Sequence, residues 1–306
     1  MKKRKVYTGE VHHVCQRTVG GVVVFYSMAD YLVFFTVFCS VAERMEMPVL
    51  ALCPMPDHLH QVCRPRSHEQ LSQFVQLYTQ LFAKEWNLSR GRKGSLFRAR
   101  FNSSVKLGNK EVRSTINYNN NNPVERKLVT KAEDYRWNFL LYARQPSPYS
   151  APIHQASASR QLRRALQEVR VCHDSGQWMH YKQWDRWIKG LERKEVLQLA
   201  DYIICTWNIL DYYQSISYYG DFEAMIRSFH DNTGSEYEIV EDRDKYSDAV
   251  YADAIRLLLK EKWIQNVREI PLLPPEKKAR LYMLLSHRTP ATPRQIRKLL
   301  HWQVKS

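Results

Sequence analysis

From Tyr31 to Val41 the chain runs eleven residues without a charge, and only Thr36 and Ser40 among them are polar. Left in water, the bulky apolar side chains of this run would cost about 2 kcal/mol each, together more than a domain's usual margin of stability. The run is about half the length that a membrane-spanning helix needs, so a buried core helix is expected. Ser27 can cap it, and the helix should extend from Met28 to about Met45. Met1 to Lys5 is basic, but Tyr7 to His13 is polar where a secretory signal would be apolar. A soluble, cytoplasmic protein is the expectation.

Around that helix the pattern alternates. Residues 10–15 and 21–25 read as strands, the second on the β-branched run Val22-Val23-Val24-Phe25, with Gly20-Gly21 turning between them. Pro48 introduces an apolar strand, Val49 to Cys53, and Leu59 to Cys63 continues as another extended stretch. Ser67 and Gln70 make a capping box for a helix with Leu71, Phe74, Val75, Tyr78, Leu81 and Phe82 on one face. Phe97 to Val105 reads as extended, and a helix from Lys110 to Asn121 should stop at Pro123. The order suits an α+β plan, a small antiparallel sheet backed by helices.

Residues 145–160 are rich in Pro, Ser and Ala and read as a linker. They suggest a first domain over 1–145, a linker over 146–160 and a mostly helical C-terminal region over 161–306, with an accessory or DNA-binding role. Helices are expected over 160–172, 179–218, 221–230, 246–265, 275–287 and 293–302. The last two, joined by Thr289-Pro290-Ala291-Thr292-Pro293, suit a helical hairpin better than a helix-turn-helix, since the chain leaves no room for a recognition helix.

Charge divides along the same line. Residues 1–150 hold 22 Lys/Arg against 11 Asp/Glu, net +11, while the remainder holds 24 against 20, net +4. A polyanion partner is indicated, and its surface should lie in the first half. Six cysteines in a chain of 306 residues do not make a disulfide scaffold. Between Lys84 and Arg113 stand nine Lys/Arg, with Trp86, Phe97 and Phe101 interleaved. Cations that neutralise phosphates and aromatic faces that stack bases suit single-stranded nucleic acid. Arg17, Arg92, Lys93, Arg98, Arg100 and Lys106 are the candidate DNA-binding residues.

His58-Leu59-His60 carries the chemistry. On a strand, His58 and His60 share a face and can hold one divalent metal while Leu59 enters the core. A second arrangement is open, a structural zinc held by Cys53, His58, His60 and Cys63, although Cys63 falls at the opposite parity on the strand. On the expected helix over 110–121, Tyr118 can serve as a nucleophile toward phosphorus. Asn122, four residues on, lies on the same helical side and can lend an amide oxygen to the metal.

Together these segments resemble the single-tyrosine HUH transposases, and within them the REP-associated tyrosine transposase group. Cys53-Pro-Met-Pro-Asp-His-Leu-His60 is similar to that family's Met-Pro-Asn-His-Val-His signature, and Gly94-Ser-Leu-Phe-Arg-Ala-Arg-Phe101 to its Gly-x-Leu-Phe/Trp-x-x-Arg-Phe block. Tyr118-Asn-Asn-Asn-Asn-Pro-Val124, running on to Asp134-Tyr135-x-Trp137, is similar to its Tyr-Ile-His-x-Asn-Pro-Val block, and His13-Val14-x-Gln16-Arg17 to its opening. The resemblance covers residues 10–140. It implies a ferredoxin-like fold with both histidines on a central strand, Mg²⁺ or Mn²⁺ bound by His58 and His60 with help from Asn122, and Tyr118 as a nucleophile forming a 5′-phosphotyrosine link. The implied partner is single-stranded DNA carrying a hairpin, and the implied assembly is a monomer or a homodimer. Three positions depart from the pattern. Asp57 stands where the family has Asn, and Gln61 stands at an aliphatic position, as a solvent- or DNA-facing residue would. Asn119 to Asn121 replace better helix formers. A non-catalytic DNA-hairpin-binding regulator that keeps the fold is the alternative function.

Overall fold

The computed structural model describes residues 8–154, 156–231 and 247–302. The first half places β1 (Val11–Arg17), α1 (Met28–Arg44), β2 (Val49–Met55), β3 (His58–Cys63), α2 (His68–Arg90) and β4 (Asn102–Lys106) in a β-α-β-β-α-β order. The strands pair antiparallel in the order β2-β3-β1-β4. This is the ferredoxin-like α+β plan expected from the sequence, and β3, with both histidines, is a central strand.

Both faces of the sheet are covered, and strand parity decides what each residue meets. Leu59 and Cys63 join Val14 and Leu52 in the core beneath α1 and α2. His58, His60 and Val62, at the other parity, face α3 (Gly108–Glu125). Tyr31 to Val41 is buried throughout α1, as its composition demands. Gln61 is not a solvent-facing position. It is 1 % exposed and lies between its strand partners Val14 and Leu52.

Several expectations fail for long-range reasons. Val22 to Phe25 does not pair as a strand. Gly20 and Gly21 make the expected turn with φ of 70° and 66°. The run then stays extended, with the amides of Val24 and Phe25 donating to Pro56 O and that of Val23 to Lys298 O. Phe97 to Phe101 is irregular, and the strand begins at Asn102. α3 does not stop at Pro123 but carries it inside the helix as far as Glu125. Tertiary bonds from the asparagines support that helix: Asn117 Nδ2 donates to Ser228 Oγ and Asn121 Nδ2 to Phe229 O, while Asn120 Nδ2 donates back to Ile116 O one turn earlier. The tertiary context thus overrides both the poor propensity of Asn and the missing N–H of proline.

The second half is helical: α4 (Arg160–Asp174), α5 (Tyr181–Trp187), α6 (Arg193–Trp207), α7 (Tyr212–Ser217), α8 (Phe222–Asp231), α9 (Val250–Lys260), α10 (Pro275–Arg288) and α11 (Pro293–Leu300). The single helix expected over 179–218 is three. Gly190 takes φ 82° after α5, and Asn208 Oδ1 accepts from Leu210 N at 3.1 Å, an Asx turn that ends α6. The first residue of the helix expected over 246–265 lies outside the described residues. α10 and α11 form a helical hairpin.

Contacts between the halves are extensive. Asp211 N donates to Val49 O and Ser215 Oγ to Leu50 O, which covers the β2 edge of the sheet. The Pro/Ser-rich stretch is tied down as well, with Tyr149 N on Asp201 Oδ2 and Tyr149 OH on Glu133 O. The main apolar core runs from Val14 through α1 and α2 into α4, α6, α9 and α11. Among the described residues no helix is long and apolar enough to cross a membrane.

Candidate active site

The face of the sheet turned toward α3 gathers the chemistry. Register places Arg17 directly opposite His58, and Cys15 opposite His60, so β1 and β3 present these side chains together. His58 and His60 stand with ring centroids 4.8 Å apart and planes nearly perpendicular. α3 supplies the rest. The Tyr118 ring meets His60 edge-on, centroids 5.4 Å apart, and Asn122 Nδ2 lies 3.2 Å from His60 Nε2. The i, i+4 spacing expected to put Tyr118 and Asn122 on one side of the helix does so, and that side is turned to the histidines.

Each histidine is held through its Nδ1. His58 Nδ1 donates to Asp57 Oδ1 at 2.6 Å, and Asp57 Oδ2 accepts from Lys298 Nζ at 2.8 Å. His60 Nδ1 lies 3.1 Å from His13 Nε2, whose ring stacks on His60 at 5.2 Å and meets Tyr118 edge-on at 5.5 Å. A histidine held through Nδ1 keeps its Nε2 available for a ligand, as outer partners of metal-bound histidines do. Burial opposes ionisation of Asp57, but the His58 bond and the Lys298 charge outweigh it and hold the carboxyl well below its ordinary range. Burial also raises the pKa of Asp248, just before α9, and the nearby Asp57 charge adds to that shift.

The donor set fits a weakly held divalent cation. It comprises two imidazoles and one amide, and turning the Asn122 amide about its last torsion exchanges nitrogen for oxygen. Among the described residues, no three His, Cys, Asp or Glu side chains group around one ion position. With no anionic ligand, affinity should rise when a phosphate supplies charge. The four-ligand zinc arrangement fails. Cys63 lies in the core beneath α1 and α2 while Cys53 packs with Met55 and Tyr135, and burial pushes both thiols up, Cys63 to about 12.

The expected DNA-binding residues divide. Lys93, Arg98 and Arg100 are exposed, as are Lys84 and Lys110 in the same basic stretch. Arg92 turns back on its own loop, donating to Asn87 Oδ1 at 2.9 Å, and Lys106 is buried at the end of β4. Arg17, half-buried, belongs with the histidines. Two further residues, His13 and Lys298, belong to the site. His13 shares the parity of Arg17 on β1, which the opening block already suggested, whereas nothing in the sequence pairs Lys298 with Asp57.

No protein-family model matches this chain, and no curated protein does. A solved structure described as a REP-associated tyrosine transposase bound to a REP hairpin covers 52% of this chain and 98% of its own, at 17% identity and a TM-score of 0.40. A likeness this slight leaves function to be read from this chain's own residues.

Proposed function

We propose that this chain is a single-strand DNA endonuclease and strand transferase that works through a 5′-phosphotyrosine intermediate on Tyr118. The supporting observation is that Tyr118 and Asn122, one helical turn apart, both meet His60, the second residue of a strand-borne histidine pair. His58, His60 and Asn122 would hold Mg²⁺ or Mn²⁺, which when bound polarises the scissile phosphate and favours the phenolate by its charge. The residues of the chain do the rest. His13 and Asp57 orient the two rings, and α3 fixes Tyr118 beside them. The exposed cations of residues 84–110 bring the strand in. The Tyr118 oxygen forms a bond to phosphorus as the bond to the 3′-oxygen breaks. A later 3′-hydroxyl reverses the exchange, so the phosphodiester's energy is conserved and ATP is not required. The substrate class is single-stranded DNA with a hairpin.

Incubation with single-stranded DNA from the sequence flanking the gene, with Mg²⁺, should give a protein–DNA adduct that survives boiling in detergent and maps to Tyr118. Tyr118→Phe should give none while binding the same DNA. One observation favours a second reading, a binding-only regulator: Tyr118 is 3 % exposed, so a phosphate reaches its oxygen only after the surrounding chain moves. Tight hairpin binding with no adduct from the unaltered protein would select that reading.

A further inference from the structure

α11 belongs to the half of the chain that carries none of the chemical motifs, yet it reaches the histidine pair. Its C-terminal turn docks on the extended run after Gly21. Val23 N donates to Lys298 O, Tyr26 OH to Leu299 O at 2.7 Å, and His301 Nε2 to Val23 O at 2.7 Å. Docked there, Lys298 has its side chain largely buried and its ammonium on Asp57 Oδ2 at 2.8 Å. Asp57 is held on its backbone side too, since Thr18 N and Thr18 Oγ1 both donate to its carbonyl, at 3.2 and 3.0 Å.

We infer that Lys298 is a positioning residue for the histidine pair: by fixing Asp57 Oδ2 it aims Oδ1 at His58 Nδ1, and so sets the tautomer and orientation of the His58 ring. An aspartate needs such a partner. An uncharged asparagine beside the first histidine can accept from Nδ1 with its carbonyl oxygen at little desolvation cost. A buried carboxylate without a countercharge either takes up a proton or turns toward one. Asp57 and Lys298 therefore act as one unit, split between the two halves of the chain. The inference rests on the proposed function for its purpose, but not for its test.

Metal affinity separates positioning from mere docking, because the two roles change it in opposite directions. As a bystander, a cation near the pair repels a metal, so its removal should raise metal affinity. As a positioning residue, its removal should lower that affinity, by roughly tenfold at the lower end of what outer partners of metal-bound histidines contribute. The test uses the full chain. In metal-free protein, ¹⁵N–¹H spectra of the imidazoles, with His58 assigned through a His58→Gln variant, should show a single Nδ1–H tautomer. Lys298→Met should give mixed tautomers or a broadened His58 signal, and roughly tenfold weaker Mn²⁺ binding by calorimetry. Lys298→Arg should restore both in large part. In an Asp57→Asn background, Lys298→Met should change neither. Tyr26→Phe, which loosens α11 without touching Lys298, should lower the melting temperature and leave the His58 signal alone. Lys298→Met with a wild-type His58 signal would overturn the inference. Should wild-type protein bind no Mn²⁺ at all, the metal reading fails, and the tautomer experiment still decides the role of Lys298.

Discussion

Two carboxylates, the fully buried Asp30 and the largely buried Asp57, each join the halves of this molecule, and their surroundings differ. Asp30 caps α1, accepting from Tyr26 N, Ser27 N and Ser27 Oγ on Oδ2, and from Arg90 and Tyr181 OH on Oδ1, both at 2.6 Å. Its side chain and that of Arg90 have no exposure, and Arg90 lies 4.0 Å over the Trp86 ring. Every partner there is spent on holding α1, α2 and α5 together. Asp57 has two charged or ionisable partners, and one of them, His58, stands edge-on to His60, which in turn meets His13, Tyr118 and Asn122. The contrast suggests a working rule: a closed polar network stabilises, while a network with a side chain leading out of it positions that side chain for something else.

The largest effects should come from breaking the second network at its far end. His60→Ala should abolish both Mn²⁺ binding and strand cleavage, leaving DNA affinity within a few-fold, because affinity comes from the exposed cations and not from the histidines. Calorimetry and a gel-shift titration read these separately. Cleavage at the wild-type rate in this variant would remove the chemical half of the comparison. Asp30→Ala should do the reverse. Stranding the buried Arg90 should cost about 3–5 kcal/mol in urea unfolding, with the activity of the remaining folded protein kept. Lost cleavage at unchanged stability would place Asp30 in the site and erase the distinction.

Salt sharpens the contrast further, since it screens surface charge and leaves buried pairs nearly untouched. Lys84, Lys93, Arg98, Arg100 and Lys110 are exposed. If they neutralise about five phosphates of a single strand, log affinity against log salt should fall with a slope near −3.5, and Arg98→Ala with Arg100→Ala should reduce its magnitude by about 1.4. A slope near zero in wild type would exclude this stretch as the DNA surface.

Local spacing accounts for what could be read from the residues alone. Period two put His58 and His60 on one face, period 3.6 put Tyr118 beside Asn122, and an uncharged run had to be a core helix. What was hidden depends on partners far along the chain. Val22 to Phe25 has the composition of a strand, but its neighbours are Pro56 and Lys298 carbonyls, so no ladder forms. Pro123 signals a helix end, yet the asparagines before it find tertiary acceptors. Lys298 lies 241 residues from Asp57, beyond any spacing rule. The Pro/Ser-rich stretch reads as a linker from composition, and composition does not reveal that Tyr149 within it bonds to Asp201 and to the Glu133 carbonyl.

The smallest predicted effect concerns the docking of α11, the helix that carries Lys298. His301 caps that helix in a left-handed conformation at φ 50°, stacks on Trp86 and donates to Val23 O. Burial lowers its pKa to about 3. The Val23 bond opposes that shift, and the charges of Lys278, Arg92 and Arg90 reinforce it. The folded state therefore requires the neutral ring, while the unfolded chain takes up a proton below about 6.5. Stability from this residue is fully present above pH 6.5 and declines as pH falls toward 3, by at most about 1.4 kcal/mol per pH unit. Other groups titrate in the same window, so the measurement is a difference. Urea unfolding at pH 7.5, 6.5 and 5.5 should show a steeper loss for wild type than for His301→Gln, whose amide can still donate to Val23 O without gaining charge. Equal slopes in wild type and His301→Gln would mean that α11 docks as well on a charged ring as on a neutral one, and that its hold on Asp57 does not depend on the state of this cap.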